Sequence, residues 1–554
     1  MSQFTFLQRE WAAVFEAASK AEGAVHADPR TACFYARRAL ELAVSWAFKH
    51  DASLRLPYQD NLSALIHEPS FKQTAGEAVF SKARVINTLG NRAVHSHRPV
   101  PEADAVAAVR ELFHVAYWFA RTYGRTGRPA PGLAFDPAAL PRPARAAAQT
   151  AEQLQALEAR LREKGESLAA LLADKTALDE ELTRLRAEVA KAKQAAAAQP
   201  DTHDYSEAET RDYFIDLLLK EAGWPLDQAR DREFEVTGMP NAEGKGFVDY
   251  VLWGDDGKPL ALVEAKRTRR DPRAGQQQAK LYADCLERQF GRRPVIFYSN
   301  GYEHWLWDDT RYPPRRVQGF YKRAELELLI QRRETRRPLA EAAISPTIVE
   351  RHYQTRAIRR IAEAFERDHD RKALLVMATG AGKTRTVIAL CDLLMRCNWA
   401  KRVLFLADRV ALVNQAVNAF KRHLPDASPV NLVTEKTAEG RVYVSTYPTM
   451  MGLIDEMSQD RAGRGSDGQR RFGVGHFDLV IIDEAHRSVF QKYRAIFDYF
   501  DSLLVGLTAT PKDEVDRNTY SLFDLEDGVP TDAYPLEEAV RDGFLVPPQA
   551  VSVP

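Results

Sequence analysis

The stretch Met377-Ala378-Thr379-Gly380-Ala381-Gly382-Lys383-Thr384 organises the rest of the chain. It follows an apolar run at residues 373–377 that predicts a buried strand, and it precedes residues 385–397, which predict a helix. Gly380 and Gly382 allow the backbone to curl so that successive N–H groups face phosphate oxygens. The N-terminus of the following helix adds partial positive charge. The pattern therefore predicts a phosphate-binding loop between a strand and a helix.

In such a loop, Lys383 is expected to contact the β- and γ-phosphates of ATP, and Thr384 is expected to bind Mg²⁺. The rest of the predicted nucleotide-binding set is Thr379, Gly380, Ala381 and Gly382. Met377 stands where the strict motif has glycine, and the variant Ala-Thr-Gly-x-Gly-Lys-Thr resembles the loop of superfamily-two helicases. The open alternative is an ordinary glycine-rich turn from a strand into a helix.

Apolar runs separated by helical segments follow the loop, at residues 403–407, 442–445, 479–482 and 503–507. Their alternation predicts a parallel sheet with crossover helices. The third run ends in Asp483-Glu484-Ala485-His486. Asp483 is expected to bind Mg²⁺, usually through water, and Glu484 to orient and deprotonate the attacking water.

Four further positions resemble motifs of the same helicases. His486, Thr508 and Thr510 resemble residues that couple the nucleotide state to the grip on nucleic acid. Gln354 resembles a glutamine that contacts the adenine edge. The resemblance implies that residues 345–515 form a RecA-like superfamily-two helicase lobe with an α/β fold.

A second candidate site lies upstream of this lobe. Residues 246–253 and 260–266 predict two strands, and Asp256-Gly257 between them is a strong hairpin signal. If this dipeptide is the centre of the turn, Asp249 and Glu264 lie directly opposite each other on one face. Lys266, two residues beyond Glu264, shares that face.

Two close carboxylates repel each other and favour a hard cation such as Mg²⁺. The cation polarises a phosphate and lowers the pKa of a bound water, which Lys266 can orient or help deprotonate. Asp249 with Glu264-Ala265-Lys266 resembles the α/β PD-(D/E)xK core of restriction nucleases. Gln278-x-x-x-Tyr282 shares one helix face and resembles an element that accompanies this core in type I restriction motor subunits. The open alternative is an exposed ion pair on a β-hairpin.

The first third of the chain predicts helices. Residues 1–124 carry apolar side chains at helical spacing, so we expect an all-helical N-terminal domain. Residues 125–149 are rich in Pro, Ala, Gly and Arg and predict a linker. Leucines at heptad spacing in residues 150–199 predict a coiled coil, or a single long helix packed on a neighbour.

Arg92 and His97 are spaced as in small helical RNases of the HEPN type, which this segment resembles. We favour the simpler interpretation, a hydrogen-bonded helix end. An RNase activity would be tested by His97→Ala.

The composition argues against several classes of protein, among them disulfide-rich, secreted and membrane-spanning proteins. Basic and acidic residues balance at 77 each, so any nucleic-acid surface must be local. Four cysteines without a Cys-x-x-Cys pair argue against a disulfide framework and against structural zinc, and fit a reducing compartment. We find neither a signal peptide nor a membrane-length apolar run. A cytoplasmic location is expected.

The order of these parts resembles the R (restriction, motor) subunit of type I restriction endonucleases. After the helices come a nuclease domain at residues 203–325, a basic connector at 326–344 and the helicase lobe. The resemblance implies ATP and Mg²⁺ as cofactors, and methyltransferase (M) and specificity (S) subunits as partners. It implies a type I site-specific deoxyribonuclease that translocates along unmodified double-stranded DNA and cleaves it, with sequence recognition in S.

Residues 516–554 are expected to begin a connection to a second helicase lobe. On this expectation the chain is an N-terminal portion that binds ATP but turns it over slowly alone.

Two other functions fit the same motifs. A stand-alone ATP-dependent helicase–nuclease of phage defence or DNA repair would not require a methyltransferase partner. A non-cutting, ATP-gated assembly scaffold would leave plasmid nicking unchanged after Asp249→Ala or Lys266→Ala.

Overall fold

The computed structural model describes residues 2–57, 61–126, 128–142, 149–172, 177–197, 208–266, 275–454, 456–459, 466–485, 487–510 and 517–547. In chain order these residues form a helical domain, a six-stranded sheet with helices, and a seven-stranded sheet with helices. The multidomain, mixed helical and sheet architecture agrees with the prediction. Among the described residues, no helix combines the length and the apolar character that crossing a bilayer requires.

The helical domain consists of α1 (Ala12–Ala24), α2 (Pro29–His50), α3 (Leu62–His67), α4 (Pro69–His95) and α5 (Glu102–Tyr123). The Asp28 side chain accepts a hydrogen bond from Thr31 N and so caps α2, with Pro29 in the first turn. Trp11, Phe113 and Phe119 are among the aromatic residues of its core. Short 3-10 helices occur at Thr5–Leu7, Pro137–Ala139, Ala229–Asp231 and Pro425–Ala427.

The heptad segment contains two helices, α6 (Ala151–Leu172) and α7 (Ala177–Ala197). Leu154 of α6 is buried against Phe34 and Val94 of the helical domain. Val189 of α7 joins the helical core, and Lys193 Nζ donates to Asp51 Oδ2 at 2.7 Å. The described ends of this segment therefore pack on a neighbour, which favours that alternative there. The side chains of residues 164–183 lie outside the described residues.

Parts of the described linker also pack on the helical domain. Leu140 is buried in the helical core, and Phe135 packs against it. The Asp136 N–H donates to Gln3 Oε1 at 2.8 Å. Apolar residues among the prolines explain this packing, because they bury surface that a free linker would expose.

The six-stranded sheet and its helices have the following bounds: α8 (Ala208–Glu221), β1 (Arg232–Thr237), β2 (Lys245–Trp253), β3 (Pro259–Ala265), α9 (Gln276–Phe290), β4 (Val295–Ser299), β5 (His304–Trp307) and β6 (Arg315–Val317). The strand order is β1-β2-β3-β4-β5-β6. β3 and β4 are parallel and the other neighbouring pairs are antiparallel. Helix α9 is the crossover between β3 and β4, as a parallel pair requires.

The β2–β3 hairpin has the predicted register, since Tyr250 pairs with Val263. Its turn differs from the prediction. Gly257 N donates to Gly254 O, and Gly257 has φ 73°, whereas neither Asp255 nor Asp256 has positive φ. A type I′ turn needs positive φ at both central residues. The turn is therefore centred on Asp255 and Asp256, one residue earlier than predicted. A register shift between Leu252 and Trp253 brings the rest of the two strands into the predicted pairing.

The expected basic connector contains a helix, α10 (Arg323–Thr335). The seven-stranded unit follows and has these bounds: α11 (His352–Glu366), β7 (Lys372–Met377), α12 (Lys383–Arg396), β8 (Val403–Ala407), α13 (Val410–His423), β9 (Pro429–Asn431), β10 (Val442–Thr446), α14 (Tyr447–Leu453), β11 (Met457–Gln459), β12 (Ser466–Arg470), β13 (Leu479–Ile482), α15 (Arg487–Tyr499), β14 (Leu503–Thr508), α16 (Arg517–Leu522), β15 (Asp532–Tyr534) and α17 (Leu536–Arg541).

The large sheet has the order β15-β7-β14-β13-β8-β10-β9, and every neighbouring pair is parallel. The prediction of a parallel sheet is confirmed, with all four predicted strands present. β15 pairs with β7, so the sheet continues past residue 515, where the lobe was expected to end. Strands β11 and β12 form a separate antiparallel pair.

Candidate functional sites

Asp249, Glu264 and Lys266 lie together at one end of the β2–β3 hairpin. The Asp249 carboxylate accepts a hydrogen bond from Ala265 N at 2.7 Å, which holds it beside the end of β3. Glu264 is 2% exposed. The backbone N–H of Lys266 donates to Ser299 O of β4 at 2.7 Å, so the central strands of the sheet fix this corner.

Helix α9 adds Gln278 and Tyr282 to the same cluster. Lys266 Nζ donates to Glu264 Oε1 at 2.6 Å and to Gln278 Oε1 at 2.8 Å. Gln278 Nε2 in turn donates to the Tyr282 hydroxyl at 2.8 Å. The five residues singled out from the sequence thus converge at one place.

The electrostatics of this corner favour a cation. Burial raises the pKa of Glu264 to about 7, the negative charge of Asp249 adds to the rise, and Lys266 opposes it. Glu264 Oε2 is buried and has no hydrogen-bond partner among the described residues. A carboxylate oxygen in that position is suited to bind a metal ion.

The donor set fits Mg²⁺ better than a transition metal. No cluster of three or more His, Cys, Asp or Glu that could hold a metal occurs among the described residues. A cation here would depend on Asp249 and Glu264 together with water and phosphate oxygens. Mg²⁺ is commonly bound by one or two carboxylates plus substrate phosphates.

Sequence reasoning missed two glycines that make room for this cluster. A Cβ on Gly275 would lie 2.7 Å from Cε of Lys266, and a Cβ on Gly246 would lie 2.6 Å from Cε1 of Tyr282. Gly246 sits inside a strand, where glycine often marks the close approach of another group. That signal was available in the sequence.

The phosphate loop connects β7 to α12. Gly380 and Gly382 have φ of 85° and 90°, the left-handed conformation expected of them. Thr379 is exposed, Ala381 is buried and Thr384 is half-buried. Lys383 Nζ donates to Met377 O at 3.2 Å across the loop. The backbone shape is that of a loop able to surround a phosphate group.

Asp483 and Glu484 face this loop from the end of β13. Burial raises the pKa of Asp483 to about 6, Glu484 adds to the rise, and Lys383 opposes it. Burial lowers the pKa of Lys383, while Glu484 and Asp483 act in the opposite direction. Glu484 has φ 54°, a strained conformation for a residue with a side chain. The lysine and the two acids therefore share one electrostatic environment.

Gln354 lies under the loop. It is 4% exposed, and its Nε2 donates to Gly382 O at 3.4 Å. The Tyr353 hydroxyl donates to Ala381 O at 2.8 Å, and the Tyr353 ring stacks on Tyr534 with ring centroids 3.7 Å apart. Sequence reasoning missed both tyrosines, because their contact depends on β15 joining the sheet.

Two of the three expected coupling residues, Thr508 and Thr510, lie in the described part of the chain. Thr508 ends β14, is 1% exposed, and its hydroxyl accepts a hydrogen bond from Thr510 N at 3.1 Å. His486 lies outside the described residues.

Arg92 and His97 have different partners. Arg92 forms an ion pair with Asp104 at 3.5 Å, and the exposed His97 lies 3.2 Å from Glu152. Ser96 N donates to Arg92 O at the end of α4. These contacts agree with the favoured interpretation, a hydrogen-bonded helix end.

Three protein families match parts of the chain. Residues 232–315 match the family described as type I restriction enzyme R protein N terminus. Residues 347–513 match the family described as type III restriction enzyme, res subunit. Residues 19–164 match a domain of unknown function, DUF4145. The first two matches contain the two candidate sites.

Known proteins with similar sequences include two from Escherichia coli. The EcoKI endonuclease subunit of strain K12 is 27% identical over 435 residues, which cover 62% of this chain and 35% of that protein. The EcoAI endonuclease subunit is 32% identical over 330 residues, which cover 55% of this chain and 37% of that protein. The chain spans about a third of the length of these relatives.

A solved fragment of a putative HsdR subunit of a type I restriction enzyme from Vibrio vulnificus YJ016 is 26% identical. The match covers 61% of each chain, with a TM-score of 0.27. The sequence matches identify this chain as a relative of the endonuclease (R) subunits of type I restriction enzymes.

Proposed function

We propose that this chain is the motor and nuclease part of a type I restriction enzyme, a site-specific deoxyribonuclease. It uses ATP to translocate along unmodified double-stranded DNA, and it cleaves that DNA with Mg²⁺. The observation that carries the proposal is the convergence of Asp249, Glu264, Lys266, Gln278 and Tyr282 in a chain that also has a phosphate loop.

We infer that the six-stranded sheet is a nuclease domain of the PD-(D/E)xK type. Its central strands carry the two carboxylates and the lysine, and α9 crosses between the parallel strands β3 and β4. Bound Mg²⁺ would be held by Asp249 and Glu264. It would polarise the scissile phosphate and lower the pKa of a bound water.

Lys266 is the residue best suited to position the attacking water. Its ammonium group is held on two sides, by Glu264 Oε1 and Gln278 Oε1. Only these two acceptors are found for the ammonium group among the described residues, so its third N–H would serve a water or a phosphate oxygen. Tyr282 fixes Gln278 and therefore acts on Lys266 indirectly.

We infer that the phosphate loop and β13 form the ATP site. Lys383 would contact the β- and γ-phosphates, and Thr384 and Asp483 would hold the Mg²⁺ that accompanies ATP. Glu484 is the candidate base for the attacking water. The buried Gln354, whose Nε2 donates to Gly382 O, is the candidate for contact with the adenine edge.

The partners follow from the relatives rather than from any described surface. In an enzyme of this class, the S subunit recognises the target DNA sequence, and the M subunits determine whether that sequence is methylated. We propose that this chain acts together with both and with double-stranded DNA.

The decisive experiment is plasmid cleavage by the complete motor protein with candidate M and S subunits. Cleavage of unmethylated plasmid that needs both ATP and Mg²⁺, and that stops in Asp249→Ala and Lys266→Ala, is the expected result. Lys245→Ala, an exposed β2 lysine paired with Glu235, is the matched control and should cleave normally.

The two rival functions give different outcomes. Cleavage without M and S would indicate a stand-alone helicase–nuclease. Nicking that is unchanged in both variants would indicate a scaffold whose acidic pair is structural.

A further inference from the structure

A cavity of about 60 Å³ lies where the six-stranded unit, α10 and the large parallel sheet meet. Tyr312 and Arg315 line it from the first unit, Arg332 and Arg336 from α10 and the residue after it, and Trp399 from the second. A buried water needs roughly 10–15 Å³ of such space. The cavity therefore has room for a few waters or for one tetrahedral oxyanion.

Arginines outnumber carboxylates around this cavity. The arginines are Arg311, Arg315, Arg332, Arg333, Arg336 and Arg371, and the carboxylates are Asp308, Glu325, Asp478 and Asp501. The surplus is two positive charges if every group is ionised.

Three of the carboxylates are neutralised by arginines of the same set. Asp501 accepts hydrogen bonds from Arg315 and Arg371. Arg332 donates to Asp478 Oδ2 at 3.0 Å. Arg333 Nε donates to Asp308 Oδ1 at 3.0 Å. These acids therefore do not repel an incoming anion strongly.

Glu325 is the fourth carboxylate, and burial raises its pKa. Its Oε2 accepts hydrogen bonds from the backbone N–H groups of Lys322 and Gly475. Its Oε1 is buried without a hydrogen-bond partner among the described residues. If Glu325 is neutral, its carboxyl group adds an O–H donor to the lining of the cavity.

Arg336 has no carboxylate within ion-pair distance among the described residues. Its guanidinium carbon lies 4.6 Å from the ring centroid of Trp399, and its Nη1 donates to the Tyr312 hydroxyl at 3.2 Å. Arg336 is half-buried and also lies 5.9 Å from the centre of the Tyr312 ring. Aromatic faces and a hydroxyl compensate the charge of a cation incompletely.

Four arginines of the lining have a buried nitrogen with no hydrogen-bond partner in the described part of the chain: Arg315 Nη1, Arg332 Nε, Arg333 Nη2 and Arg336 Nε. Arg333 Nη2 nevertheless lies 2.8 Å from Asp308 Oδ1, which leaves three such nitrogens without a nearby acceptor in that part of the chain. Arg332 as a whole is 6% exposed. Buried donors are normally paired, so these guanidinium N–H groups around one cavity are available to an acceptor such as a phosphate oxygen. Guanidinium groups match the oxygens of phosphate closely.

We propose that this cavity binds one phosphate group, held by Arg315, Arg332 and Arg336 between the six-stranded unit and the large parallel sheet. Because the lining comes from both units and from the helix that joins them, the bound phosphate fastens one unit to the other. The ligand is a free phosphate ion or a phosphate of a DNA backbone. This inference does not depend on the proposed cleavage or ATPase reactions.

The test is the thermal unfolding midpoint of the full chain in sodium phosphate, compared with sodium chloride of equal ionic strength. Wild type should gain about 2 °C or more at phosphate concentrations far above Kd, because a ligand of the folded state stabilises it. Arg336→Gln should lose this gain, and Arg336→Lys should keep less than half of it. Arg337→Gln, an exposed neighbour outside the cavity, should keep it all.

Phosphate can also bind at the phosphate loop, so each measurement is repeated with Lys383→Ala present. The Arg336-dependent gain should persist.

A short DNA duplex replaces phosphate in a parallel series, and a gain with duplex alone would assign the ligand to DNA. Tungstate soaked into crystals of the wild-type chain should give an anomalous peak beside Arg332 and Arg336. The proposal is overturned if neither probe gives an Arg336-dependent gain, if Lys383→Ala abolishes it, or if that peak is missing.

Discussion

Gln278 joins two parts of the proposed nuclease site through a single side chain. Its oxygen accepts from Lys266, and its nitrogen donates to Tyr282. An amide can do both at once, whereas a carboxylate cannot donate to the tyrosine and an aliphatic side chain can do neither. The orientation of Lys266 therefore depends on a residue twelve positions away in sequence.

Replacing Gln278 with alanine should lower DNA cleavage by about 10–100-fold, the usual cost of removing a residue that orients a metal-site group. ATP hydrolysis by the same preparation should not change. The adjacent, exposed Gln277→Ala is the matched control and should cleave at the wild-type rate. Equal activity of the two variants would contradict a positioning role for Gln278.

Gly382 is the residue on which the shape of the phosphate loop depends most. Its φ is 90°, and a Cβ there would lie 2.7 Å from Gln354 Nε2. We expect Gly382→Ala to reduce ATP affinity at least tenfold, measured with a fluorescent ATP analogue. Gly452→Ala should bind normally, because its Cβ would meet no atom within 4 Å. Tight binding by Gly382→Ala would show that the loop tolerates a different shape.

At the scale of secondary-structure elements, β12 fastens the large parallel-sheet unit to α8 and α4. Arg470 of β12 is 8% exposed, donates to Glu221 Oε2 at 3.2 Å and lies 3.4 Å from the Thr88 hydroxyl. Three regions far apart in sequence therefore share one buried guanidinium. The function of this contact is to hold elements in place.

Arg470→Met should lower the free energy of unfolding by about 3–5 kcal/mol, since it leaves the buried Glu221 without its cation. Urea denaturation followed by tryptophan fluorescence measures the change. Arg494→Met removes an exposed ion pair with Asp498 and should cost less than about 1 kcal/mol. Similar losses in both variants would mean that the Glu221 contact contributes little.

At the scale of the whole molecule, Asp501 joins the small sheet to the large one. It accepts hydrogen bonds from Arg315 of β6, from Arg371 just before β7, and from the Tyr321 hydroxyl at 2.6 Å. Burial alone would raise the pKa of Asp501, but the two arginines and the hydrogen bonds hold it well below its usual range. The folded state therefore favours the ionised carboxylate.

Asp501→Asn should destabilise the chain by about 3–5 kcal/mol at neutral pH, because two half-buried arginines lose the nearly buried anion that they share. A lowered pKa in the folded state stabilises the fold above the unfolded value, about 3.9, and this stabilisation is lost as the pH falls below it. The difference in urea midpoint between wild type and Asp501→Asn should therefore shrink below about pH 4. Asp498→Asn, an exposed control, should show no such difference. A gap that stays constant with pH would exclude this role for Asp501.

The sequence by itself determined the local features. Alternating apolar runs and glycines predicted the strands of the parallel sheet and the phosphate loop, because periodicity and positive φ are properties of short segments. The β2–β3 register was also predictable, although the turn was not, because Gly257 could adopt its positive φ in more than one turn type.

Only the tertiary structure decided which distant residues meet. The room that Gly246 and Gly275 leave for the nuclease cluster, the Tyr353–Tyr534 stack and the arginine-lined cavity all depend on packing between elements. Arg332 is the clearest case. The sequence predicts a basic connector here, yet burial against Asp478 makes this arginine part of an interface. Charge alone does not say where a side chain lies, because a buried partner can outweigh the preference for water.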